Sequence, residues 1–278
     1  MSDAADGDGA TRPDPAAQLV AASASPGRES DLRAHLPGLE PERRVTDWGR
    51  SERLEEAVDR TVGDALYHVW HRVTVDGAEH VPSQGGALLV CHRAGAAALD
   101  ALLVSKAVAE THTRPRPVVP LVAAGALAQP GLAMLLPKLG AVADHPANVR
   151  RLLAEEGQLA LVFPEDGGPR LLRDRYRVRR LRDEVLAAAR VARVPVVPVA
   201  IVGTEEVTPV LGRIPLPGGH RLPVPIPALL PAKVAIRFLA PIDPGGPASV
   251  RELADETGAV LQAALVDLVA DRRSVWLG

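Results

Sequence analysis

Three short runs constrain the fold most: ALLVC (87–91), LALVF (159–163) and VPVVPVAIVG (194–203) are apolar at nearly every position. A strand with one wet face alternates apolar and polar residues. A strand apolar throughout is buried on both faces and needs helices over it. Further strands are predicted at VTVDG (73–77), PVVPLV (117–122) and KVAIRFLAPI (233–242). Between them lie predicted helices at 96–109, ANVRRLLAEEG (147–157, stopped by Gly157) and 178–192. Strands alternating with helices define an α/β chain with a mixed, mostly parallel central sheet flanked by helices.

At both ends of this core the period is helical. SERLEEAVDRTVGDALYHVWHR begins at Ser51, a candidate N-cap, and sets Leu54, Val58, Val62, Leu66 and Val69 on one predicted stripe. In 247–273, Val250, Leu253, Thr257, Val260, Leu261, Ala264, Leu265 and Leu268 share a face of a long amphipathic helix. Residues 1–48 lack periodicity and read as a disordered tail; 49–278 read as a single α/β domain. The proline-rich stretch 213–231 reads as an extended loop, packed on the body or lying near a membrane or acyl chain.

At 278 residues and 47% hydrophobic content the chain can bury a large core, which excludes disorder throughout. A net charge of −2 gives no global nucleic-acid footprint, and 3% aromatics argue against base stacking. The single cysteine, Cys91, excludes a disulfide framework and a four-cysteine zinc site, and no metal is implied. The N-terminus lacks the pattern of a signal peptide, and no run is long and apolar enough to span a bilayer. A cytoplasmic location is expected. Residues 118–143 carry one charge, Lys138, and GLAMLLPKLG within them is a candidate interfacial helix or a buried one. There is no G-x-S-x-G elbow, G-x-G-x-x-G, Walker loop or H-E-x-x-H helix.

What remains sits at strand ends. ALLVC runs into His92-Arg93-Ala94-Gly95, with Asp100 following. LALVF runs into Pro164-Glu165-Asp166-Gly167-Gly168. RLLRDRYRVRRLR (170–182) then holds seven arginines. Reactive groups of open α/β sheets gather beyond the strands' C-terminal ends. Taken singly, the histidine reads as structural, the glutamate as a turn carboxylate and the arginine run as a solvated face.

In this order the motifs GGALLVCHRAG, LVFPEDG and VPVVPVAIVGTEE resemble the glycerolipid acyltransferases, the phospholipid and glycerol acyltransferase family, over roughly residues 68–245. The Arg175-Tyr176-Arg177 segment is similar to one branch of that family. The resemblance implies transfer of a fatty acyl group from acyl-CoA or acyl-carrier protein, as substrate rather than cofactor, to a hydroxyl of a lysophosphatidic acid-like acceptor. It implies His92 as general base and Asp100 as its partner acid. Glu165 and Gly167 would hold the acceptor, and Arg93, Arg170, Arg173 and Arg175 would clamp its phosphate. The implied partners are the acyl donor, a lysophospholipid and the inner membrane surface, met peripherally through basic residues; no nucleic acid is implied.

Three positions depart from the family's pattern. The acid expected five residues after the histidine is Ala97, and Asp100 stands at plus eight. A straight helix over eight residues rises about 12 Å, so Gly95 must break the segment for Asp100 to fold back. Asp166 stands between Glu165 and Gly167, and Asp144 and His145 stand where many relatives carry arginine. The alternative reading is a catalytically degenerate homologue that binds lipid or a partner without acyl transfer.

Overall fold

The computed structural model describes residues 46–165, 174–207, 210–215, 221–225 and 230–272. The 1–48 tail therefore lies almost wholly outside the described residues, as do Gly167, Arg170 and Arg173. All described residues belong to one compact unit, Val45–Gly278.

Its centre is a seven-stranded sheet in the order β1-β9-β6-β2-β5-β3-β4. The strands are β1 (Thr74–Asp76), β2 (Ala87–Cys91), β3 (Val118–Val122), β4 (Val142–Ala143), β5 (Leu159–Val162), β6 (Val196–Val202) and β9 (Ala235–Phe238). Every pairing is parallel except β6 with β9. The helices are α1 (Glu52–Val58), α2 (Ala97–Thr111), α3 (Ala124–Leu127), α4 (Pro130–Leu135), α5 (Pro146–Arg150), α6 (Glu184–Ala192), α7 (Thr204–Val207) and α8 (Val250–Ala270).

β2 shows why its sequence is apolar throughout. Alternate side chains of a strand enter opposite layers. Leu88 and Val90 join Leu152 and Leu153, Leu186 of α6 and Leu261 and Leu265 of α8. Ala87, Leu89 and Cys91 join Leu103, Val104 and Ala107 of α2, with Tyr67. Hence β2 has no solvent face to mark with polar residues. α8 is fixed at its start by a capping box: Ser249 accepts from the Glu252 N–H, and the Glu252 carboxylate accepts from the Ser249 N–H.

Three expectations need correction. The stretch 213–231 is not all loop: β7 (Val210–Pro215) and β8 (Arg221–Pro225) pair as an antiparallel ribbon. A two-stranded ribbon has only edge strands, where a proline's missing N–H can face away from the ladder. The helix predicted over 178–192 begins only at Glu184, because the arginine-rich segment before it spends its N–H groups elsewhere. Val178 donates to Gln262 Oε1 at 2.8 Å, Arg179 to Glu165 Oε1 at 3.0 Å and Arg182 to the Pro164 carbonyl at 2.8 Å.

The third correction concerns α1. Its chain continues in π-helical turns over Asp59–Gly63 and Ala65–Trp70. An i→i+5 ladder rotates the residues off the 3.6-residue stripe. Gly63 and Tyr67 therefore face inward, while Val62 and Val69 are 51% and 73% exposed. Ser51 occupies the N-cap position without a side-chain capping bond.

Candidate active site

Three neighbouring parallel strands, β6, β2 and β5, end at one edge of the sheet and deliver polar residues there. β2 delivers His92, β5 delivers Glu165 through Phe163 and Pro164, and β6 delivers Thr204, Glu205 and Glu206 through Gly203. All of these polar side chains are buried, His92 at 1% exposure.

The segment after His92 is broken at Gly95. α2 starts at Ala97, which places Asp100 in its first turn. The carboxylate folds back, and Asp100 Oδ2 accepts from the Gly95 N–H at 3.1 Å. Burial pushes Asp100 up to about 7, against the Thr204 hydroxyl, the Gly95 and Ala94 N–H groups and Arg93, which favour the ionised form. Asp100 also acts electrostatically on both Cys91 and Arg93, the residues either side of His92. Gly95 has no room for a side chain, since a Cβ there would sit 2.4 Å from the Thr204 carbonyl oxygen. That close approach locks the loop after β2 to the turn after β6.

Glu165 forms an isolated bridge with Leu181, and its Oε1 accepts the Arg179 N–H. Burial lowers Arg93 from the usual arginine value. The Glu165 and Asp100 carboxylates oppose that, and Arg179 and Arg182 add to it. Glu165, Asp100, Arg179 and Arg182 thus all act on Arg93. Arg182 also pairs with Asp144 at 3.1 Å. Burial first, then Asp100, Glu165 and Glu205, hold the Cys91 thiol far above its ordinary value, so it is no thiolate nucleophile.

A cavity of about 1140 Å³ opens at this edge. Arg93, Asp144, Arg175, Arg182 and Glu205 are among its polar lining, with Glu52, Glu55, Asp59 and Lys106, and Ala101, Leu121, Leu132, Leu136, Leu139 and Phe163 are among its apolar walls. Such a volume, with walls that are mostly apolar in area, suits a small-molecule ligand. Arg93 and Ala94 line it directly after His92, while His92, Asp100 and Glu165 lie buried alongside in the chain.

The structure therefore brings His92, Arg93, Asp100, Glu165 and Arg175 to one sheet edge. Gly167, Arg170 and Arg173 fall outside the described residues. Sequence reading missed Arg182 and Glu205. Arg182 was read only as one of a run, and Glu205 only as part of a motif. The signal available for Glu205 was its place just past a fully apolar strand.

Comparisons with known proteins agree with this architecture. The sequence model described as "Acyltransferase" matches residues 72–202. An uncharacterized protein of Mycobacterium leprae is 33% identical over 271 residues, covering 89% of this chain and 73% of that protein. An uncharacterized protein of Mycobacterium tuberculosis is 31% identical over 290 residues, covering 96% and 78%. Among solved structures, the 1-acyl-sn-glycerophosphate (LPA) acyltransferase PlsC of Thermotoga maritima superposes with a TM-score of 0.57 at 20% identity, over 80% of this chain and 82% of that one. The fold is that of PlsC, a mixed, mostly parallel sheet flanked by helices. The chain belongs to the acyltransferase family.

Proposed function

We propose that this protein transfers a fatty acyl group from acyl-CoA or acyl-carrier protein to the hydroxyl of a lysophosphatidic acid-like acceptor, with His92 as general base. The observation that carries the reading is the convergence of His92, Asp100, Glu165 and an arginine cluster where three parallel strands end beside one partly apolar cavity. An alcohol is a weak nucleophile at neutral pH, and imidazole has the pKa to take its proton. As the His92 ring nitrogen accepts the hydroxyl proton, the acceptor oxygen bonds to the thioester carbonyl carbon. The tetrahedral oxyanion then expels the donor's thiolate, which takes the proton from the imidazolium. The products are an ester and a free thiol.

Above about pH 7 Asp100 carries a negative charge that favours the imidazolium, and its bond to Gly95 holds the loop. Arg93, Arg175 and Arg182 supply charge for an anionic head group. The apolar walls take an acyl chain. No helix among the described residues is long and apolar enough to cross a membrane. The proposed contact with a bilayer is peripheral and uses Leu132, Met134 and Leu135 of α4, which are 37%, 70% and 45% exposed.

The test is thiol release from palmitoyl-CoA with and without lysophosphatidic acid and other lysolipids. Acceptor-dependent release by the native chain supports the reading. A flat signal across acceptors and donors points to a fold that binds lipid without transferring it. Flotation with anionic liposomes tests the membrane contact separately: the native chain should float, and the Leu132→Ser, Met134→Ser, Leu135→Ser variant should stay with the soluble fraction.

A further inference from the structure

Glu205 and Glu206 are adjacent and equally buried, at 6% exposure each. Their partners differ. Glu206 Oε1 accepts from the Tyr176 hydroxyl and pairs with Arg272 Nη1 at 3.0 Å. Glu205 Oε2 accepts the N–H of Gly203, at 2.9 Å. Its Oε1, like Glu206 Oε2, is buried and has no hydrogen-bond partner among the described residues. Yet Glu205, not Glu206, lines the cavity with Arg93 and Gly95. A buried oxygen left without a partner is costly, and persists where a ligand completes it.

We infer that Glu205 is a further acceptor-binding residue, donating a carboxylic O–H from Oε1 to an anionic oxygen of the acceptor head group, a phosphate above all. This rests on the acyl-transfer reading above and goes beyond it in naming what recognises the head group. A neutral acid suits this position because the arginines of the same cavity already supply charge. It adds a directed donor without neutralising them.

The surroundings support the protonated form. Glu205 is faced by Glu206 on its own turn, Asp100 from α2, Cys91 from the end of β2 and Tyr176 from the 174–182 segment. Arg93 shares the cavity, and Arg272 is engaged by Glu206. Burial, then the negative charges of Glu206 and Asp100, push Glu205 up to about 8. At pH 7 it can donate; above pH 8 it becomes a carboxylate that repels phosphate.

The experiment measures KM and kcat of the full chain between pH 6.5 and 9.5, with palmitoyl-CoA as donor. Acceptors are lysophosphatidic acid and the phosphate-free monoacylglycerol of equal chain length. For the native chain, KM for lysophosphatidic acid should rise ~10-fold from pH 7 to pH 9, KM for monoacylglycerol should stay flat, and kcat should follow the same pH course with both acceptors. Glu205→Gln, which donates but never ionises, should bind lysophosphatidic acid about threefold more weakly at pH 7 and lose the rise. Glu205→Ala should raise that KM ~10-fold at pH 7. Superimposable lysophosphatidic acid profiles for the three proteins would overturn the inference while leaving acyl transfer standing. If the native chain turns over neither acceptor, the acyl-transfer reading fails. Equilibrium binding of radiolabelled lysophosphatidic acid at pH 7 and 9 then decides the role of Glu205, and equal affinities for the native chain and Glu205→Ala overturn it.

Discussion

The central strands and the 52–70 segment are held to the molecule by different forces. Every residue of β2, β5 and β6 is buried, and none of these strands has a wet face. Dispersion and burial fix them from both layers, so the groups at their ends inherit a rigid frame. The 52–70 segment buries only Gly63 and Tyr67. Charge ties it instead: Lys106 of α2 pairs with Asp59 at 3.1 Å and Asp64 at 2.6 Å, and with Glu110 of its own helix at 3.0 Å, while His68 meets Glu110 at 3.0 Å. The Lys106 side chain is buried while these carboxylates are partly exposed. The site is built where packing decides, and an outer wall of the cavity is fastened where charge decides.

The sharpest way to break this contrast is to loosen the frame. Leu161→Ala in β5 should cost ~3 kcal/mol through lost burial and a residual cavity, and lower Tm by about 10 °C in calorimetry. Lys106→Met removes the shared cation from three carboxylates. It should cost ~2 kcal/mol, with faster hydrogen exchange in 52–70 and unchanged protection in β2, β5 and β6. Equal loosening of both regions would contradict the separation drawn here.

Glu205 tests the contrast from the other side, because packing there buries a group that charge would keep wet. Its pKa rises from 4.5 to about 8 on folding. Between those values the unfolded chain releases a proton that the folded chain keeps, so stability falls as pH rises across that window. Glu205→Gln does not titrate. Chemical denaturation should therefore show it gaining on the native chain from pH 5 to pH 8, by about 1 kcal/mol or more. A constant difference across that range would sink the assignment. The smallest effect is expected at Val69, which is 73% exposed: Val69→Ser should stay within about 0.5 kcal/mol of the native chain.

The same division explains what was legible in the sequence. ALLVC matches β2 residue for residue, and LALVF and VPVVPVAIVG contain β5 and β6, because burial on both faces leaves an unbroken apolar run. Strand ends were legible for that reason, and His92 and Glu165 with them. The 52–70 stripe was misread because π-helical turns, with Lys106 holding Asp59 and Asp64, changed the period. The 178–183 stretch was misread because its backbone donors go to Glu165, Pro164 and Gln262, partners remote in sequence. Asp100 was legible only through Gly95, whose lack of a Cβ fits the Thr204 carbonyl. The differing fates of Glu205 and Glu206 depend on Tyr176 and Arg272, which no local pattern announces.

Product analysis reads the role of His92 directly. The native chain and His92→Ala would each be incubated with isotopically labelled palmitoyl-CoA and lysophosphatidic acid, and the lipid extract weighed by mass spectrometry. Labelled diacylated product is expected from the native chain, and at least ~10³-fold less from His92→Ala at equal folded concentration. Equal product from the two proteins would contradict a reaction built on the histidine at the end of β2.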